Sequence, residues 1–339
     1  MTQLRSRLAP VWLLLVVVGS SVGVGCIDPD LPGNLVPRTV VEDASLPAIE
    51  LADTRLHAEA FGDPEDPMLL VLHGGPGGDY RGLLPLAELA EDGYYVVFWD
   101  QRGAGLSQRH RADHIEPSSY VDDIPRVIEH FSHDEEQPVV FIGHSWGAMY
   151  AAWFLHEYGD YGGRIRGAIF SEPGGFDSDE VASYFRRLFG SFEFFGEMVN
   201  DAAWTGQFVS PKEHARADYV AVSRAPAGAP AEHLDPEDPA PKWRWGAVVE
   251  AKLLAYAADP GFDWTPHLGE FSSKVLFLRG ELNEAMPLAH QQRLAALFAS
   301  SDVVTIDGVG HELVWQAPDA YLTEARTYLA GLDLEVAAR

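Results

Sequence analysis

One cysteine, Cys26, stands in 339 residues, so no intramolecular disulfide can close any loop. Basic residues are scarce: 24 Lys and Arg face 51 Asp and Glu, a formal net charge of −27. Such a chain has no basic face for phosphates, which excludes nucleic acid as a partner. Its field repels anions and draws cations. No metal site is read from the histidines, no other cofactor is expected, and no internal repeat is found. What the chain has in quantity is apolar bulk, 47% of residues with nine tryptophans. At this length that suits one large α/β domain carrying an insertion.

The N-terminus stands apart. Arg5 and Arg7 precede VWLLLVVVG (Val11 to Gly19), an apolar run too short for an ordinary membrane helix, and small residues then lead to Gly25-Cys26. This resembles a bacterial lipoprotein signal, although Gly23 stands where a leucine-like residue is usual. The resemblance implies that residues 1–25 are cleaved and that Cys26 carries a lipid. An exported protein anchored to a membrane, in the periplasm or at the cell surface, is expected. Residues 26–47, rich in Pro, Asp and Gly without apolar periodicity, read as a tether.

Beyond the tether, AIEL and RLHAEAFG predict a hairpin pair. Five apolar runs follow, MLLVL, YYVVFW, VVFIGH, IRGAIFS and VLFLRG, and DVVTIDG closes the series. Helical segments separate them. Apolar runs without in–out alternation indicate a parallel sheet covered on both faces. The rhythm breaks after Glu172, where aromatics (Phe185, Phe189, Phe192, Phe194, Phe195, Trp204, Phe208, Trp243, Trp245) gather around the Pro- and Ala-rich loop RAPAGAPAEHLDPEDPAPK. We therefore expect a core of residues 48–172 and 273–339 and an inserted helical cap of residues 173–272.

Four motifs sit at predicted strand ends. GHSWG places Ser145 between two glycines where a strand hands over to a helix, the frame of a nucleophile elbow. HGGPGG (His73 to Gly78) offers backbone donors, so the amides of Gly75 and Trp146 are the expected oxyanion hole. DQRGAGLS (Asp100 to Ser107) is expected to be shaped by an Asp100–Arg102 ion pair. GVGHE puts His311 late in the chain, after the serine, as the order Ser…acid…His requires. His73 and His144 are expected to support loops through hydrogen bonds.

Together HGGPGG, DQRGAGLS, GHSWGA and GVGH resemble the proline iminopeptidase group of α/β-hydrolases. The resemblance implies an α/β-hydrolase fold, a mostly parallel eight-stranded sheet with an inserted helical cap. It implies a serine hydrolase of small or short-peptide substrates, with nucleophile Ser145, base His311 and oxyanion donors Gly75 and Trp146. Two departures stand out. The family's aspartate after the seventh strand is replaced by Asn283, in Gly280-Glu281-Leu282-Asn283-Glu284. The cap Trp-Glu whose carboxylate grips a substrate amine is Trp245-Gly246 here, leaving Glu250, or carboxylates near Glu193 and Glu197, as substitutes.

We assign the triad acid to Glu172, at the end of the sixth strand in IFSEPGG, with Glu284 as the alternative and Glu281 behind it. An acid at that strand end serves some relatives, including certain haloalkane dehalogenases. The leading function is an aminopeptidase cleaving N-terminal residues from short peptides through an acyl-enzyme. A carboxylic ester or lactone hydrolase, and a non-catalytic binding protein with a degenerate triad, stay open.

Overall fold

The computed structural model describes residues 33, 35–189, 214–224, 230–232, 234–235 and 237–334. The signal segment, Cys26, Phe192, Glu193, Phe194, Phe195, Glu197, Trp204 and Phe208 lie outside the described residues.

Eight strands form one sheet: β1 (Ala48–Glu50), β2 (Arg55–Phe61), β3 (Met68–Leu72), β4 (Tyr95–Trp99), β5 (Val139–His144), β6 (Ile165–Ser171), β7 (Val275–Gly280) and β8 (Ser301–Ile306). Their order is β1-β2-β4-β3-β5-β6-β7-β8. β1–β2 and β2–β4 pair antiparallel, and every later pair is parallel. The chain folds as an α/β-hydrolase.

Both faces of the central strands are dry, and the period of two decides which residue goes where. Leu70, Leu72, Val97, Trp99 and Phe141 enter the cluster built with α2 (Asp123–Phe131) and α3 (Trp146–Tyr158). Their neighbours Leu69, Val71, Val96, Phe98 and Val140 enter the opposite cluster. That second cluster is completed by the 3₁₀ segment Arg81–Asp92 and by α9 (Pro318–Leu329). The remaining helices are α1 (Pro117–Val121), α4 (Ser178–Phe189), α5 (His214–Arg224), α6 (Ala247–Ala257), α7 (Leu288–Ala295) and α8 (Leu313–Gln316).

Between β6 and β7 the described residues add helices α4 to α6 and no strand to the sheet. Buried ion pairs tie this segment to the core. Asp218 on α5 accepts from Arg109 of the core at 2.8 Å and from Arg244 of its own segment at 2.7 Å, and Arg244 also reaches Glu42, ahead of β1, at 3.1 Å. A buried pair broken at one partner costs about 3–5 kcal/mol, so these contacts fix where the segment sits.

The loop after β4 departs from expectation. Asp100 and Arg102 do not pair. Asp100 takes His57 Nδ1 at 2.9 Å together with the amides of Tyr80 and Leu106, while Arg102 pairs with Asp123 at 2.7 Å and Asp53 at 2.8 Å. Both side chains are buried, and the charged or ring partner of each, His57 for Asp100 and Asp53 and Asp123 for Arg102, lies at least 21 positions away.

Candidate active site

Ser145 joins β5 to α3 at φ 53° and ψ −118°, a backbone that costs a residue with a Cβ about 1–3 kcal/mol. The flanking glycines make the turn possible. A Cβ on Gly147 would lie 1.9 Å from the Leu72 carbonyl oxygen, and one on Gly143 would lie 2.6 Å from Ala148. The Ser145 amide donates to Ser171 O at 2.7 Å, which pins the elbow to the end of β6. Trp146 opens α3, so its N–H belongs to the first turn, whose amides have no partner within the helix. Gly74 packs against the Ser145 side chain, carrying Gly75 into the same edge of the sheet.

His311 follows β8 and is buried, as is Glu172 at the end of β6. His311 Nδ1 lies 2.7 Å from Glu172 Oε2. A carboxylate only accepts, so a proton sits on Nδ1 and Nε2 is left free of Glu172. Glu172 itself has a φ of 52°, and its amide donates to Leu278 O at 3.1 Å. Its Oε1 accepts the Gly280 amide at 2.7 Å.

Asn283 does more than fill a vacated place. Its Nδ2 donates to Glu172 Oε2 at 2.7 Å, and its Oδ1 accepts the amides of Ala285 and Met286 at 3.0 and 3.2 Å. The buried carboxylate thus receives three donors, Gly280 N, Asn283 Nδ2 and His311 Nδ1. Glu284, the alternative acid, is exposed, and its amide donates to Ala231 O. Glu281 is also exposed and accepts from Gly308 N at 2.9 Å.

The supporting histidines are both neutral. His73 donates from Nδ1 to Gly74 O at 2.8 Å and accepts the Gln101 amide on Nε2 at 3.0 Å, and burial holds its pKa below the usual value. His144 donates from Nε2 to His311 O at 2.8 Å, and burial with the neighbouring His311 charge pushes its pKa down to about 4.

One residue at this site was not anticipated. Glu232, in the turn Pro230–Glu232 of the cap, brings Oε1 to 4.0 Å from His311 Nε2. The Tyr184 hydroxyl of α4 donates to the same oxygen at 2.8 Å. Backbone contacts hold the turn in place: His311 N donates to Glu232 O at 2.9 Å, and Glu284 N and Ala285 N donate to Ala231 O. Burial opposes a charge on His311, but the Glu172 hydrogen bond and the charges of Glu232, Glu172 and Glu312 outweigh it, lifting its pKa to about 9.

Glu250 stands elsewhere, with its Cβ 3.1 Å from where a Gly77 Cβ would sit, beside the HGGPGG loop. The Trp245-Gly246 departure also has a steric cause. A Cβ on Gly246 would lie 2.1 Å from Gly103 O, and the Gly246 amide donates to Gly77 O at 2.7 Å. The residue is wedged between two loops, so no glutamate fits there.

A mostly parallel sheet with a strained serine elbow at its centre, and a histidine after the last strand paired with a carboxylate at the end of β6, defines an α/β-hydrolase. Residues 64–316 match the family described as serine aminopeptidase, S33, and the chain belongs to that family. A proline iminopeptidase of Clostridium botulinum is 35% identical over 91 residues, 26% of this chain and 30% of that relative. Epoxide hydrolase B of Mycobacterium tuberculosis is 38% identical over 109 residues, 30% of each chain. The chain thus aligns with under a third of the length of either relative. The crystal structure of a proline iminopeptidase-related protein from Thermus thermophilus superposes with a TM-score of 0.60 at 23% identity, covering 85% of this chain and 97% of that one. That likeness is one of fold.

Proposed function

We propose that this hydrolase is an aminopeptidase releasing N-terminal residues from short peptides. Ser145 attacks the carbonyl, His311 takes the serine proton, and Glu172 fixes the imidazole tautomer and stabilises the imidazolium. The amides of Gly75 and Trp146 receive the oxyanion, and water then cleaves the acyl-enzyme. The observation that carries the hydrolytic reading is the 2.7 Å contact of His311 Nδ1 with Glu172, on the edge of the sheet that bears Ser145. A serine nucleophile also argues against epoxide opening, because attack by Oγ would leave an ether that water does not cleave. Attack on a carbonyl leaves an ester that water does cleave.

The preference for a free amine rests on Glu232. Among the described residues it is the cap carboxylate that reaches His311, at 4.0 Å from Nε2, and we take it as the group that meets the α-ammonium of the substrate. A desolvated carboxylate–ammonium contact is worth a few kcal/mol, enough for ~10²-fold in rate. Turnover of aminoacyl-arylamides should therefore drop by about that factor when the amine is acylated. Equal rates on blocked and free substrates, with fast cleavage of short aryl esters, would establish the ester or lactone hydrolase instead.

We further propose that the enzyme is exported and held to a membrane by acylated Cys26, the reading supported by the lipoprotein-like signal. Cys26→Ser should move the protein from the membrane to the soluble fraction without changing its turnover. Mass spectrometry that finds an unmodified mature N-terminus at another residue would remove the anchor.

A further inference from the structure

His311 lies between two carboxylates of different kinds. Glu172 faces Nδ1, as a triad acid does, but Glu232 faces Nε2, the nitrogen that must accept the serine proton. An imidazole flanked in this way is held in its charged form, and a charged imidazole cannot act as a base. We propose that Glu232 is a positioning residue that keeps His311 as an imidazolium in the resting enzyme, and that the cation of a bound substrate, by drawing Glu232 to itself, frees the imidazole to deprotonate Ser145. This deepens the aminopeptidase reading and rests on it for the identity of the cation.

The geometry supplies each part of the device. The Glu232 side chain is only 13% exposed, so water screens it little. Tyr184 donates to the oxygen that faces His311, and its hydroxyl stays protonated because burial and the Glu232 charge raise its pKa well above the usual value. Among the described residues the other groups facing the ring are accounted for. Asn283 and the neutral His144 carry no charge, and Glu312 is paired with Lys242 at 3.3 Å. Glu172 cannot be the released partner, because Gly280 N and Asn283 Nδ2 hold it on the core side. The carboxylate free to change partners is the one on the cap.

The direction of the pH effect follows. The folded His311 pKa of about 9 lies above the unfolded value, so the ring is charged below it and becomes a base as pH rises through it. With a neutral aryl ester, whose own groups do not titrate in this range, kcat/KM reports the free enzyme and should rise with pH through about 9. Glu232→Gln removes one carboxylate within 4.0 Å while leaving the backbone acceptor of His311 N intact, so the acid limb should move down by about 1 unit or more. At pH 7 the variant should cleave the ester about 10-fold faster than the wild type, and free-amine substrates more slowly.

The test is the pair of profiles, kcat/KM for the ester and kcat for the aminoacyl-arylamide, in wild type, Glu232→Gln and Glu232→Asp, beside NMR titration of the His311 ring. In wild type the kcat limb for the arylamide should lie at least 1 unit below the kcat/KM limb for the ester, because kcat reports the occupied enzyme. Glu232→Asp, with a shorter stem, should fall between the other two and guards against a variant that does not fold. An ester limb and a His311 titration that stay put in both variants would overturn the proposal, even with the free-amine preference intact. A limb that moves in an enzyme indifferent to the substrate's amine would uphold the resting ion pair and sink the aminopeptidase reading instead.

Discussion

The two carboxylates that meet at His311 come from different layers. Glu172 ends a central strand, is fully buried, and receives donors from the β7 end, from Asn283 and from His311 itself. Glu232 sits in a three-residue turn of the cap, 4.0 Å from the same ring, with Tyr184 as its side-chain partner. In the proposed mechanism the core holds the group whose position must not change during turnover. The cap holds the group proposed to exchange one cation for another. The proposed division of roles rests on how many donors each carboxylate receives and from which layer they come.

The contrast can be broken most severely at Ser145, the proposed nucleophile. Ser145→Ala should abolish fluorophosphonate labelling and lower kcat by ~10⁶-fold with the fold unchanged. Labelling that persists in this variant would place the nucleophile elsewhere. On the core side, Asn283→Ala deprives Glu172 of one donor and orphans the amides of Ala285 and Met286. It should cost about 10-fold in kcat/KM. On the cap side, Tyr184→Phe leaves the Glu232 charge in place and should change the same parameter by no more than about 3-fold. Were Tyr184→Phe the more damaging of the two, the fixed and free roles would be reversed. Smallest in turnover, though measurable in stability, is Gly246→Ala. Its Cβ would lie 2.1 Å from Gly103 O, and it should lower unfolding free energy by about 1–3 kcal/mol in a denaturant titration.

Much of the core was readable from residue order. The apolar runs of β3 to β7 are buried on both faces, so they announce themselves without alternation, and GHSWG marks the hand-over from β5 to α3 by its glycines. Glu172 could be nominated because strand ends are where such chemistry collects. The donation from Asn283 could not be foreseen, because it depends on how the loop after β7 folds back beside β6, a matter of register between segments more than a hundred residues apart. Glu232 was hidden for a different reason. It lies in a Pro- and Ala-rich stretch without periodicity, and what places it is backbone bonding to residues 284, 285 and 311. The Asp100–Arg102 expectation failed because proximity in sequence says little about partners once both side chains are buried. Each of those residues pairs with a group at least 21 positions away.

The central claim is that the carboxylate orienting His311 belongs to the end of β6. The most direct measurement is single-turnover acylation of the wild type, Glu172→Gln and Glu284→Gln by one activated substrate, with folding checked by thermal denaturation. Loss of a triad acid that leaves the geometry intact costs ~10⁴-fold, so Glu172→Gln should fall by about that factor while Glu284→Gln stays within about 3-fold of wild type. Near-normal acylation in Glu172→Gln together with an inactive Glu284→Gln would contradict the account and return the acid to the loop after β7.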